Sequence, residues 1–79
     1  MKIKLVFFGV LVDVTGKSEI DLFTEDLKDV ALLNSYLSSN YPLLTNHQYK
    51  IAVNQEIAGN EQLLYDGDEV ALLPPFAGG

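Results

Sequence analysis

The fold of this chain is indicated most clearly by the stretch Asp66-Gly67-Asp68-Glu69-Val70-Ala71-Leu72-Leu73-Pro74-Pro75. Its first three residues have the composition of a turn, and the apolar run from Glu69 to Leu73 predicts a short strand. The two prolines end that strand, because proline lacks the N–H that a sheet requires and favours a stiff, extended exit. The last strand therefore leads directly into the C-terminal residues.

A second apolar strand is predicted at the beginning of the chain. Ile3, Leu5 and Phe7 recur with a period of two, which is typical of a strand with one buried face. Residues 18–24 alternate again, and the turn signal at residues 15–17 between the two runs suggests a hairpin. If the first and last strands lie side by side, the two most apolar segments close the sheet at its centre.

The middle of the chain changes to helical periodicity. Asp29 is a candidate N-cap for a helix near Val30 to Ser39, in which Leu33 and Leu37 follow Val30 on one face. Pro42 ends this helix, because the residue before a proline is displaced from the α region. One main helix is therefore predicted.

A third strand at residues 49–53 and a polar connection at residues 55–62 complete the pattern. The resulting order is ββαββ within a single domain that spans residues 1–79. One helix packed across one mixed sheet buries these apolar faces, which predicts an α+β fold of the ubiquitin-like β-grasp type. Another small α+β roll with a different strand order is the alternative.

Composition narrows the possible functions. Eleven acidic residues against five lysines give a net charge of −6, which disfavours nucleic-acid binding and favours a partner with a basic surface. The absence of cysteine excludes disulfides and thiolate chemistry, and it suits a cytoplasmic location. The apolar run at residues 5–12 is too short to span a membrane and lacks a cleavage site, so a buried strand is expected there.

Side chains suited to catalysis are scarce. His47 is the only histidine, and it is expected to be a solvated loop residue because nothing nearby in the sequence orients it as a base. Asp66 and Asp68 flank a glycine, but the remaining ligands of a calcium loop are missing, so a turn is expected. We therefore expect no metal site, no bound cofactor and no independent enzymatic activity.

The C-terminal tail Phe76-Ala77-Gly78-Gly79 offers a different chemistry. A glycine tail can enter a channel too narrow for any Cβ, and it leaves only backbone and a terminal carboxylate. ATP could activate that carboxylate as an acyl-adenylate. A sulfur donor would then leave a thiocarboxylate, whereas a lysine or a cysteine would leave an amide or a thioester, and the tail alone does not choose among these.

The last sixteen residues resemble the end of the small, sulfur-carrier subunit of molybdopterin synthase. That subunit closes with a DGDEVA segment, a diproline, two variable residues and Gly-Gly, all of which stand at residues 66–79. Weaker similarity extends to Leu5-Val6-Phe7-Phe8-Gly9, to Val53-Asn54 and to the helix pattern. Members often carry Arg-Glu where this chain has Val12-Asp13, so a more apolar partner contact is expected at that point.

The resemblance implies a carrier role. Gly79 would be adenylated by an E1-like enzyme that uses ATP, and would then be converted to a thiocarboxylate. Gly78, Ala77 and Phe76 would pass into the large synthase subunit, where the sulfur is donated to cyclic pyranopterin monophosphate during molybdenum cofactor biosynthesis. The assembly implied is a heterotetramer of two large and two small subunits.

A partner surface is also expected. If Leu5 and Phe7 face the helix, then Val6, Phe8, Ala71 and Leu73 face the opposite side, close to Pro75 and the tail. Three other functions remain open from the sequence. They are a sulfur carrier for thiamine synthesis, a ubiquitin-like modifier joined to lysines, and an interaction module whose glycines are incidental.

Overall fold

A computed structural model describes residues 1–75 of the chain, and the predicted tail at residues 76–79 lies outside the described residues. A single sheet of five strands has the order β2-β1-β5-β3-β4. In chain order the elements are β1 (Lys2–Phe7), α1 (Val10–Thr15), β2 (Glu19–Phe23), α2 (Val30–Asn40), a 3₁₀ helix (Pro42–Asn46), β3 (Lys50–Val53), β4 (Glu56–Ile57) and β5 (Glu69–Leu73).

The first and last strands lie side by side at the centre of the sheet, as the sequence predicts. β1 and β5 are parallel, with Leu5 opposite Val70 and Phe7 opposite Leu72, and all four side chains are buried. β2 and β3 flank this pair in antiparallel orientation, which makes the sheet mixed. Burial of each such side chain stabilises the fold by about 1.5–3 kcal/mol.

The main helix covers the inner face of the sheet. Val30, Leu33 and Leu37 are at most 1% exposed, and the Asp29 carboxylate accepts a hydrogen bond from the Leu32 N–H at 2.9 Å. This is the N-cap that the sequence predicts, because the side-chain oxygen satisfies a free donor of the first turn. α2 ends at Asn40, where Pro42 is two residues away and the chain turns into the 3₁₀ helix.

Three short elements extend the predicted order ββαββ. α1 forms within the run that the sequence assigns to a strand and its loop, and its Leu11 side chain is fully buried. The 3₁₀ helix follows Pro42 and buries Leu44. β4 occupies the start of the predicted polar connection, where Asn54 and Gln55 form a two-residue turn with φ angles of 50° and 72°.

Candidate functional site

The outer face of the sheet, opposite α2, carries a row of apolar side chains across four strands. Val6 is opposite Ala71, Ala71 is opposite Ala52, and Ala52 is opposite Ile57. Residues opposite one another in register project to the same side of a sheet. The outer row is therefore Val6, Ala71, Ala52 and Ile57, and Ile57 is 63% exposed.

The outer row brings together part of the predicted partner surface. Val6 and Ala71 are half-buried there, and Leu73 stands on the same face of β5, two residues beyond Ala71. Phe8 lies one residue past the end of β1 and is 46% exposed, and Pro75 is exposed beyond β5. The assignment of these five residues to a partner contact stays a prediction.

Two members of the outer row were missed by the sequence reasoning. The alternation in β3 could have placed Ala52 outward, because Ile51 and Val53 on either side of it are core residues. Ile57 gave no such signal, since its strand has only two residues within a polar segment. At the position where members of the resembled family often carry Arg-Glu, this chain has Val12-Asp13. The Val12 side chain packs partly against the core of the domain, and Asp13 is exposed.

Charged side chains border the outer row on one side. Lys4 Nζ lies 3.5 Å from Glu19 Oε2, and Lys2 Nζ lies 4.0 Å from Asp21 Oδ2, across the β1–β2 pair. Glu69 stands opposite Lys4 on the other side. Ion pairs exposed to this degree add little stability, so their main effect is on the surface potential that a partner meets.

The turn before β5 is held by its two aspartates. The Asp66 carboxylate accepts from the Lys2 N–H at 2.7 Å, and the Asp68 carboxylate accepts from the Tyr65 N–H at 2.8 Å and from the Asn54 amide at 2.9 Å. The Asn54 side-chain oxygen in turn accepts from the Glu69 N–H at 3.0 Å. These contacts give both aspartates a structural role in the turn. Within residues 1–75, no group of three or more acidic or histidine side chains could hold a metal ion.

The base of the tail rests on the loop after β1. A Cβ built on Gly9 would lie 3.1 Å from the Cγ atom of Pro74, which is closer than nearly all real contacts of that kind. The backbone of Gly9 has φ 57° and ψ −133°, a conformation that side-chain-bearing residues rarely adopt. The backbone conformation of Gly9 therefore favours glycine, and a side chain there would also require Pro74 to shift by a few tenths of an ångström.

A groove of about 1060 Å³ opens beside the same tail base, lined by α2, by the start of β3 and by Leu73, Pro74 and Pro75. His47 is half-buried in its wall, so it is less solvated than the sequence predicts. The Tyr49 hydroxyl donates to Asn34 Oδ1 at 3.4 Å, and burial raises the pKa of Tyr49 above its usual value.

The residues predicted to carry the chemistry, Phe76 to Gly79, lie outside the described residues. The structure shows where the residues before them lie, at the end of the central strand β5, beside the outer row and the groove. In the described part of the chain no helix is long and apolar enough to cross a membrane.

Comparison with known proteins identifies the chain's relatives. A model of the ThiS family matches residues 5–79. The molybdopterin synthase sulfur carrier subunit of Mycobacterium tuberculosis is 37% identical over the whole of this chain and 99% of its own length.

Two solved structures are similar over nearly their whole length. A chain in the complex of subunits 1 and 2 of the molybdopterin-converting factor from Helicobacter pylori is 27% identical, with all of both chains covered and a TM-score of 0.72. The small archaeal modifier protein 1 from Methanosarcina acetivorans is 26% identical, with 99% of this chain and 96% of that chain covered and a TM-score of 0.80. The predicted ubiquitin-like β-grasp fold is confirmed.

Proposed function

The chain belongs to the ThiS family, and on that basis we propose that it is the sulfur-carrier subunit of a molybdopterin synthase. The observation that carries the proposal is the similarity, from end to end, to a curated sulfur carrier subunit of that enzyme. The diproline and Gly78-Gly79 support it further, because they belong to the ending that resembles the sulfur-carrier subunit, and Pro74 and Pro75 directly follow the central strand β5.

The first chemical step is activation of the Gly79 carboxylate. One carboxylate oxygen bonds to the α-phosphorus of ATP and displaces pyrophosphate, in the active site of an E1-like enzyme. Hydrosulfide, as the simplest sulfur donor, then attacks the acyl carbon and displaces AMP, which leaves a thiocarboxylate. Each step exchanges one leaving group for one nucleophile, so no oxidant or reductant is required. ATP is bound by the activating enzyme, and the carrier itself binds no cofactor.

The second step takes place in the large subunit. Phe76, Ala77 and Gly78 lead the thiocarboxylate into a narrow channel. There its sulfur bonds to a carbon of cyclic pyranopterin monophosphate as a C–O bond at that carbon breaks, and the released oxygen takes up a proton. Water then hydrolyses the acyl–sulfur bond, which leaves the sulfur on the substrate and returns Gly79 to a carboxylate. The working assembly is a cytoplasmic heterotetramer of two large and two small subunits.

The outer row and its apolar neighbours give this carrier a surface for its partners. Apolar area around the end of β5 is supplied by Val6 and Ala71 of the outer row and by Phe8, Leu73 and Pro75 beside it. Contact there holds the tail at the entrance of the partner's channel, and the acidic groups nearby favour approach to a basic surface.

Intact-mass analysis tests the proposal. The chain is incubated with ATP, hydrosulfide and the activating enzyme of the same organism, and a mass gain equal to the exchange of one oxygen for sulfur is expected. A matched reaction without ATP should give no gain. The loaded carrier is then mixed with the large subunit and cyclic pyranopterin monophosphate, and molybdopterin is measured. A chain that takes up sulfur but yields no molybdopterin would be assigned to another pathway, such as thiamine synthesis.

Protein modification is the second candidate, favoured by the similarity to an archaeal modifier protein. In that role the activated Gly79 carbonyl would form an amide with a lysine amine of another protein. Lysine-linked adducts of this chain in extracts of its own organism would support it, and their absence beside efficient thiocarboxylate formation would exclude it.

A further inference from the structure

We propose that Gly9 is a positioning residue, which leaves room for the ring of Pro74 and so sets the path by which the chain leaves β5 at Pro74 and Pro75. The functional consequence rests on the proposed carrier role, whereas the positioning itself can be measured without it.

The topology brings the two residues together. β1 and β5 are parallel, with Phe7 opposite Leu72, so both strands end at the same edge of the sheet. Gly9 and Pro74 are each two residues further along their strands. A Cβ on Gly9 would lie 3.1 Å from Pro74 Cγ, so the proline ring sits directly over the glycine backbone.

The loop that carries Gly9 is itself anchored. Gly9 passes directly into α1, whose first turn is closed by a hydrogen bond of 3.1 Å from the Val12 N–H to the Gly9 carbonyl. The neighbouring Leu11 is fully buried in the core, which fixes α1 against the sheet. Pro74 adds stiffness because its ring restricts φ. The tail therefore starts from a contact between two constrained segments.

A side chain on Gly9 would conflict with the ring of Pro74, because its Cβ would lie 3.1 Å from the Cγ atom of that ring. The ring or the loop must then shift, and Pro74 is the residue through which β5 connects to the C-terminal residues. Acyl activation and transfer require the reacting atoms to be in line, so a change in this connection should lower the rate of sulfur loading.

The test compares Gly9→Ala with Gly16→Ala. Gly16 also has a positive φ, of 76°, but a Cβ there would meet nothing within 4 Å. Both variants carry backbone strain, which is larger at Gly9 because its ψ of −133° lies outside the left-handed helical region that Gly16 occupies. Only Gly9→Ala also meets Pro74, and the double variant with Pro74→Ala separates this steric conflict from the backbone strain. We expect the initial rate of thiocarboxylate formation to fall several-fold in Gly9→Ala and by less than about twofold in Gly16→Ala.

A direct structural measurement separates this inference from the carrier role. In NMR spectra the amide signals of Phe76 and Ala77 should shift in Gly9→Ala and keep their positions in Gly16→Ala. If the wild-type chain accepts no sulfur, the carrier role fails, and these shifts alone decide the positioning. If the wild-type chain accepts sulfur but Gly9→Ala and Gly16→Ala load equally and show the same tail signals, the positioning inference is wrong.

The variant Pro74→Ala tests the same contact by changing its second residue. It removes the ring that lies over Gly9, and we expect a loss of loading rate with little change in the thermal midpoint. Combined with Gly9→Ala, it should give a loss smaller than the product of the two single losses, because the steric conflict is gone. If Gly9→Ala does not fold, Pro74→Ala decides alone, and a wild-type loading rate and tail spectrum in it would overturn the proposal.

Discussion

Val6 and Ala71 stand opposite each other on the two central, parallel strands, with their side chains on the face that α2 does not cover. The residues on either side of Val6, Leu5 and Phe7, are core residues, as are Val70 and Leu72 around Ala71. The same two strands thus form the centre of the core on one face and the centre of the outer row on the other. A partner that docks on this face touches the two central strands, each of which is paired on both sides.

Charge placed on the outer face should weaken partner binding without unfolding the domain. We expect Phe8→Asp or Leu73→Asp to cost about 2 kcal/mol or more in binding the large subunit or the activating enzyme, which is roughly 30-fold in Kd. Leu32→Asp is the matched control, because Leu32 is 45% exposed on α2, away from this face. Calorimetry measures Kd, and equal affinities for all three variants would remove the outer face from the interface.

The terminus should tolerate no change in length. Deletion of Gly79, or addition of one residue after it, displaces the acyl carbon by more than about 3 Å and should abolish sulfur loading. Gly78→Val should fail as well, because a branched Cβ does not fit a channel shaped for backbone. The thermal midpoint should hardly move in any of these variants. Mass spectrometry and a melting curve on each variant decide, and a truncated chain that still carries sulfur would end the carrier proposal.

The β3–β4 turn stores strain that one substitution can release. Gln55 has φ 72°, a conformation that glycine adopts freely and other residues do not. We expect Gln55→Gly to stabilise the fold by about 1 kcal/mol or less. Relief of a left-handed conformation that costs about 1–2 kcal/mol is partly offset by about 0.4–1 kcal/mol for the greater freedom of glycine in the unfolded chain.

Asn54 is the control for that substitution. It also has a positive φ, but its side chain bonds to Asp68 and to the Glu69 N–H. Asn54→Gly should therefore destabilise the fold by about 1 kcal/mol, because the two exposed hydrogen bonds of the amide are exchanged for hydrogen bonds to water. Urea unfolding measures whether each variant raises or lowers the free energy of unfolding relative to the wild type. A Gln55→Gly variant that is less stable than the wild type would show that the turn is not strained.

The Met1 amine should make the free energy of unfolding depend on pH in the alkaline range. The Met1 ammonium donates to the Glu25 carboxylate, and this hydrogen bond raises the pKa of the amine above its ordinary value of 8.0. A raised pKa in the folded state means that the contribution is complete below about pH 8 and is lost as pH rises through the folded pKa.

Glu25→Gln isolates this contribution. The variant should be less stable than the wild type at pH 7, and the difference should shrink as the amine of the wild type is deprotonated. Thermal midpoints measured from pH 7 to above the titration of the amine test this. A difference that stays constant over that range would mean that the pair does not act through the charge of Met1.

The sequence predicts the main helix and the central strands because the patterns that mark them lie within each element. Asp29 caps α2, and Val30, Leu33 and Leu37 mark its buried face with the expected spacing. The central strands are also recognisable, since their alternation matches the burial found in the structure.

The missed elements lack such signals. α1 contains Val10, Leu11 and Val12, which read as a continued strand, and only its flanking glycines indicate otherwise. β4 follows an Asn-Gln turn, where Asn-Gly is the pattern that marks a hairpin. The contact of Gly9 with Pro74 joins residues far apart in the chain, so it depends on the strand order and cannot be read from either segment.

The parallel pairing of β1 and β5 also provides a site of attachment at Met1, far from the end of β5. Both strands run toward the edge where Pro74 begins the tail, so Met1 lies at the opposite edge, beside the turn that precedes β5. A fluorescent protein or a surface linker joined to Met1 would stand a strand's length, about 20 Å, from the end of β5, and it would replace the ammonium that pairs with Glu25. The domain can therefore be immobilised from one edge while the end of β5 lies at the opposite edge, which would suit capture of activating enzymes on a solid support.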